Sequence, residues 1–289
     1  MVAFRPMDVD VFLISYDEPN ADANWQRLCS LAPHAKRVHG VLGFDAAHKA
    51  CANASTTRRF VTVDGDNWIE DGGLDGEMDD SGMEDACLSF KSRNIINGLE
   101  YGNGGIKIWD SGSMLSSSTH EAGNTTDFCW DIRYYQVDSV ASTTVQNCTP
   151  YQAWRAGYRE GIKMSYVDGK PLADFAGQWK RIWRGNLNRL TIWASIGRDV
   201  DNGTWAMLGA RSAMADMVRR RVRHTDINDY DWFSAKWSTV MNSNPEHAAR
   251  ELGSMLRDSC GFPMPELDAD ASRWFKMVYT NPKREGFML

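Results

Sequence analysis

Residues 9–66 alternate between short apolar runs and longer amphipathic segments. Val9-Asp10-Val11-Phe12-Leu13-Ile14-Ser15 is β-branched and apolar, suited to a buried strand. Residues 20–31 carry Trp25, Leu28 and Leu31 at helical spacing, and Pro33 ends that helix. A second strand is predicted over 36–41 and an alanine-rich helix over 44–54, after Gly43. A third strand over 59–63 runs straight into Asp64-Gly65-Asp66-Asn67. Strands alternating with helices predict an α/β fold, Rossmann-like, with a mostly parallel sheet and right-handed crossovers. Ligands in such sheets gather at the carboxyl ends of strands. Ser15-Tyr16-Asp17-Glu18 and Asp64-Gly65-Asp66 both fall there, so the two clusters are expected to face one crevice.

The pattern then changes. Residues 70–85 hold eight acidic side chains among glycines and read as a solvated, mobile loop. A calcium loop is not expected, because no Gly and closing Glu fall at the required positions. Extended segments are predicted at 86–90, 106–109 and 134–145. Gly102-Asn103-Gly104-Gly105 precedes a strand where a dinucleotide fingerprint needs a helix. Its glycines serve a close backbone approach to a ligand or a tight turn. Thr149-Pro150 starts a helix with a capping hydroxyl and a proline in the first turn. That helix, over 151–164, places Trp154, Tyr158 and Ile162 on one face. From about residue 171 the chain reads as mainly helical, with one strand candidate at 189–196. The simplest organisation is an α/β catalytic core over 1–170 and a mainly helical portion over 171–289.

Composition narrows the function classes. The 289 residues are 43% hydrophobic and 24% charged, ordinary for a globular protein. A net charge of −6 argues against affinity built mainly on phosphate neutralisation, but leaves room for a local basic patch. Arg219-Arg220-Arg221-Val222-Arg223-His224 is the one dense basic run, either a solvated helix end or a grip on DNA phosphates. Twelve tryptophans exceed what packing needs, and Trp179, Trp183, Trp193 and Trp205 are either core or stacking surfaces for a flipped base. Six cysteines, at 29, 51, 87, 129, 148 and 260, form no CxxC pair and read as scattered reduced thiols. No apolar run approaches the ~20 residues of a membrane span, and no signal-peptide pattern is present. A soluble cytoplasmic protein without a membrane partner is expected.

Asp64 and Asp66 carry the sharpest chemistry. Residues two apart on a strand share a face, so both carboxylates can reach one ligand. Gly65 between them leaves space for that ligand. Mg²⁺ or Mn²⁺ suits one or two carboxylates completed by substrate phosphates and water. The alternative for the bare tripeptide is a common Asp-Gly turn. His39 and His48 have no partner at ligand spacing and read as structural; His120 could supply a third metal ligand from a loop.

Phe12-Leu13-Ile14-Ser15-Tyr16-Asp17-Glu18-Pro19-Asn20, Arg37-Val38-His39-Gly40-Val41 and Val63-Asp64-Gly65-Asp66-Asn67 resemble the nucleotide-binding half of GT-A glycosyltransferases. The similarity is greatest to the set encoded by bacteriophages and other DNA viruses. Ser92-Arg93-Asn94 through Gly105, Thr149-Pro150 with Trp154-Arg155-Ala156-Gly157-Tyr158-Arg159-Glu160, and Leu190-Thr191-Ile192-Trp193 resemble that set too. The resemblance covers about the first two thirds of the chain. It implies a nucleotide-sugar donor, a UDP-sugar, held by a divalent metal, in host cytoplasm if the chain is phage-encoded. It also implies transfer to a hydroxymethylated pyrimidine in DNA. Ser15, Tyr16, Asp17 and Glu18 would then cradle uracil and ribose, with Tyr16 stacking on the base, and Asp64 and Asp66 would match the DxD. Arg93 is placed to meet a diphosphate, or remains a surface cation.

An inverting transfer needs a carboxylate base. Asp127, Glu160 and Glu100 are the candidates, the first two preferred; Glu160 could equally pair with a helix neighbour. A retaining outcome stays open. So do two other functions: the same donor chemistry on a glycan, protein or small molecule, and a non-catalytic nucleotide- or DNA-binding protein.

Overall fold

In the computed structural model, which describes residues 3–102, 105–119, 121, 128–167, 170–172 and 174–279, the predicted start of the chain forms as expected. Strand β1 (Asp10–Ser15) leads to helix α1 (Ala21–Leu31), β2 (Lys36–His39), α2 (Phe44–Ala54) and β3 (Arg59–Asp64). Then come β4 (Asn67–Ile69), β5 (Cys87–Asn94), β6 (Glu100–Tyr101), β7 (Ile106–Asp110), α3 (Ser111–Ser116), α4 (Phe128–Asp131) and β8 (Tyr134–Thr144). Their sheet runs β2-β1-β3-β7-β5-β8-β4, with β6 beside β5. It is mixed: β2, β1 and β3 are mutually parallel and β5 is parallel to β8, while β7 is antiparallel to both neighbours.

Alternation within each strand splits the apolar residues between two faces. Val11, Leu13, Val61, Val63, Ile106 and Ile108 pack on one side with Leu28 and Ala32 of the α1 region. Phe12, Phe60 and Trp109 pack on the other, with Cys51 and Ala52 of α2 and Met114 of α3. Helices therefore flank the sheet, in an α/β arrangement of Rossmann-like character.

The acidic segment over 70–85 is less free than its composition suggests. Most of its charges face water, but Leu74 is buried, and Met78 and Met83 pack on the core. Phe4 bridges Met78, and the buried Arg59 guanidinium donates to the Asp80 carboxylate (2.8 Å) and to the carbonyls of Met83 and Ala86. Apolar anchors and one buried cation decide the path of this loop; a count of its acids could not show that.

The chain divides into two units. One comprises Met1–Asn94 and Glu100–Val145, the other Ile95–Leu99 and Gln146–Leu289. The division falls earlier than the expected boundary near 170, because α5 (Pro150–Lys163) packs into the helical unit. That unit also contains β9 (Tyr166–Val167), β10 (Lys170–Pro171), α6 (Phe175–Gln178), α7 (Arg184–Ser195) and α8 (Gly203–Val218). It closes with α9 (Tyr230–Ser238), α10 (Pro245–Cys260) and α11 (Ala269–Tyr279). Thr149 caps α5 by accepting from the Gln152 amide at 3.1 Å, as predicted. Helices α5 and α8 touch backbone to backbone: a Cβ on Gly157 would lie 1.9 Å from the Ala206 carbonyl oxygen, and one on Gly209 2.0 Å from that of Trp154. The strand candidate at 189–196 is helical instead. Leu190, Trp193 and Ala194 are all buried, the i, i+3, i+4 spacing of a helix, which outweighs the β-branched pair Thr191-Ile192. Among the described residues no disulfide forms, and no helix is long and apolar enough to cross a membrane.

Candidate functional site

Parallel pairing of β1 with β3 sets Ile14 beside Asp64. The loops that follow, Ser15-Tyr16-Asp17-Glu18 and Asp64-Gly65-Asp66, therefore leave the sheet side by side at its carboxyl edge. The Asp-Gly-Asp backbone is held at every residue. The Asp64 amide donates to the Gly105 carbonyl (3.0 Å), Asn24 Nδ2 to the Gly65 carbonyl (2.8 Å), and the Val145 amide to the Asp66 carbonyl (2.8 Å).

The Asp66 side chain is also oriented. Asn67 is buried, and its Oδ1 accepts from the hydroxyls of Ser92, Ser142 and Thr144 at 3.0–3.1 Å. With the oxygen fixed among donors, the amide nitrogen must turn outward, and it donates to Asp66 Oδ1 at 2.7 Å. Gly105 makes this possible, since a Cβ there would lie 2.3 Å from Asn67 Oδ1. The close approach foreseen for this glycine is thus to Asn67 itself. Asn24 and Asn67 escaped the sequence reading; Asn24, four residues before Leu28 on the inner side of α1, was the available signal.

Gly65 has a specific task too. A Cβ there would stand 2.9 Å from Glu18 Oε2 and 3.0 Å from Ser15 Cβ. The space expected for a ligand is taken by the Glu18 carboxyl, whose Oε2 accepts from the Tyr16 amide at 2.7 Å. Gly65→Ala should cost about 1–3 kcal/mol of stability by overpacking, read from urea unfolding.

Burial pushes the Glu18 carboxyl above its ordinary range, and the negative charges of Asp66 and Asp17 add to the push, partly offset by the Tyr16 amide. A carboxyl raised in the folded state favours folding while protonated and loses that advantage as pH rises through its folded value. Glu18→Gln should therefore be more stable than the parent at pH 7 without added metal, and the gap should shrink on acidification. Thermal melts at pH 4 and 7 would check this; a gap that widens toward acid contradicts it.

A divalent cation would relieve such crowding of carboxylates. Asp64 and Asp66 would hold it, with remaining positions left to phosphate and water. Among the described residues no group of three or more His, Cys, Asp or Glu side chains is gathered for a metal.

Tyr16 is 40% exposed at this edge. Arg93 and Glu100 face each other across the β5–β6 pair and form an ion pair at 2.7 Å, so the phosphate-binding candidate and one base candidate are bonded to one another. Glu160 lies on α5 of the helical unit, 3.7 Å from Lys163. Asp127 and His120 lie outside the described residues. His48 is buried among Phe44, Trp109 and Phe128, a core residue. Arg219, Arg220, Arg221 and Arg223 are exposed and follow the end of α8; Arg220 has φ 55°, and Arg223 pairs with Asp226 at 2.9 Å. Trp193 and Trp179 are buried, Trp205 is half-buried and Trp183 is 65% exposed, leaving Trp183 as the freest stacking surface of the four. Set against known proteins, the chain matches no family model and no curated protein.

Proposed function

We propose that the protein is a metal-dependent glycosyltransferase with a GT-A type core, taking a sugar from a UDP-sugar and placing it on the hydroxymethyl group of a modified pyrimidine in DNA. The observation that carries this reading is the adjacency of Ser15-Tyr16-Asp17-Glu18 and Asp64-Gly65-Asp66 at the ends of parallel β1 and β3. Tyr16 would stack on the base and Asp64 and Asp66 would hold the cation, which neutralises charge on the departing diphosphate. The acceptor oxygen attacks the anomeric carbon and passes its proton to a carboxylate, while the bond to the diphosphate breaks and UDP leaves. Asp127 and Glu160 are the preferred bases. Of the candidates among the described residues, Glu100 is engaged by Arg93 and Glu160 by Lys163.

The test is transfer of radiolabelled sugar from a panel of UDP-sugars, with Mn²⁺, onto DNA containing 5-hydroxymethylcytosine or 5-hydroxymethyluracil. Label in the DNA is expected. Slow UDP release without labelled DNA would keep the donor half and move the acceptor to a glycan, protein or small molecule, a reading the net charge of −6 favours. The exposed arginines offer a second check. Replacing Arg219, Arg220, Arg221 and Arg223 together should lower the slope of log K against log salt for DNA binding by up to about 3–4. An unchanged slope removes this run from the acceptor side.

A further inference from the structure

His39 ends β2 directly beside Ser15 of β1. The Ser15 hydroxyl is buried and has two polar neighbours, Arg37 Nε at 2.9 Å and His39 Nδ1 at 3.0 Å. Arg37 is itself fixed by donating to Asp22 at 2.7 Å. A guanidinium can only donate, so Ser15 Oγ accepts from Arg37. The hydroxyl proton then has one acceptor among the described residues, His39 Nδ1. Accepting there leaves the imidazole neutral with its proton on Nε2. The chain of donors from Arg37 through Ser15 thus ends in a fixed N–H on an exposed ring, at the edge that carries Tyr16.

Two further features suit a flat heterocycle at this place. Tyr16 follows Ser15 and is 40% exposed; Leu42 follows the β2 turn and is 69% exposed. The turn itself needs Gly40, whose φ is 72°.

We propose that His39 is a specificity-determining residue that reads a keto oxygen of the nucleotide base through Nε2–H, selecting uracil or thymine over cytosine. The proposal rests on the nucleotide-sugar reading above. A 4-keto group accepts from this donor, whereas the 4-amino group of cytosine sets donor against donor.

The experiment combines two readouts on the full chain. Nitrogen-15 NMR of the imidazoles without nucleotide should show His39 as the Nε2–H tautomer; the Nδ1–H tautomer would overturn the proposal whatever the protein's activity. Calorimetric titration with UDP and CDP in Mg²⁺ should give UDP an advantage of about tenfold. His39→Ala should bring the two ligands to near parity, His39→Gln should retain a preference for UDP, and His39→Asp should favour CDP. If UDP binds and His39→Ala keeps the tenfold ratio, the assignment of His39 falls while the nucleotide-sugar reading stands. If neither nucleotide binds the parent protein, that reading fails and the proposal with it.

Discussion

Asp66→Asn should lower sugar transfer by at least about 100-fold while leaving the melting temperature nearly unchanged. The substitution keeps the shape of the side chain and an oxygen that can accept from Asn67 Nδ2, so the local hydrogen bond at 2.7 Å survives. The backbone restraints on either side, from Asn24 and Val145, are not touched. What disappears is one negative charge, next to Glu18. On the proposed function, the pair of carboxylates that would hold the cation loses a member, and with it the charge neutralisation that would speed loss of the diphosphate. Initial rates at several Mn²⁺ concentrations would measure the effect, with unfolding curves as the control. Full transfer by the variant in excess EDTA would remove the metal from the reaction. A rate loss accompanied by an equal loss of folded protein would make Asp66 a structural residue.

Much of this edge was legible because its signals are local. Buried parallel strands are continuous apolar runs, so β1 and β3 announced themselves, and the residues at their ends followed from strand direction alone. What needs partners distant in sequence was not legible. The buried position of Glu18 depends on the missing side chain of Gly65, and the orientation of Asp66 depends on hydroxyls from β5 and β8 converging on Asn67. The Arg93–Glu100 pair required the register of a hairpin that glycine content alone does not set. Elsewhere one strong local signal hid another. The acids of 70–85 masked Leu74, Met78 and Met83, and Thr191-Ile192 masked the helical spacing of Leu190 and Trp193. The exposed basic run was legible as chemistry but not as structure, since α8 stops at Val218, just before it.

Arg211→Met should cost the helical unit about 3 kcal/mol, the largest stability loss expected from a single side chain here. Arg211 is fully buried on α8 and ties three segments together. Its Nε donates to the Ala194 carbonyl near the end of α7 (2.7 Å), and Nη1 donates to the Ala249 carbonyl of α10 (2.7 Å) and to Glu266 Oε1 (2.6 Å). The first of these bonds satisfies a carbonyl left over at a helix C-terminus, where a positive charge is also favourable. Gly253 leaves the space for this guanidinium: a Cβ there would lie 2.7 Å from Nη1. Burial drives the Arg211 pKa down and the Glu266 pair opposes it, so the cation depends on its carboxylate. Methionine fills similar volume but donates nothing, leaving the Ala194 carbonyl at the helix end and the Glu266 carboxylate without this donor. Glu266 would keep Arg198 at 2.9 Å, which limits the loss. Arg211→Lys should rescue little, because one ammonium cannot span the fork that reaches α7 and α10 together. Urea unfolding followed by far-UV circular dichroism would measure both variants. A methionine variant as stable as the parent would mean that desolvating the guanidinium already cancels the bonds it makes, and that apolar packing of α5 against α8 holds the unit together unaided.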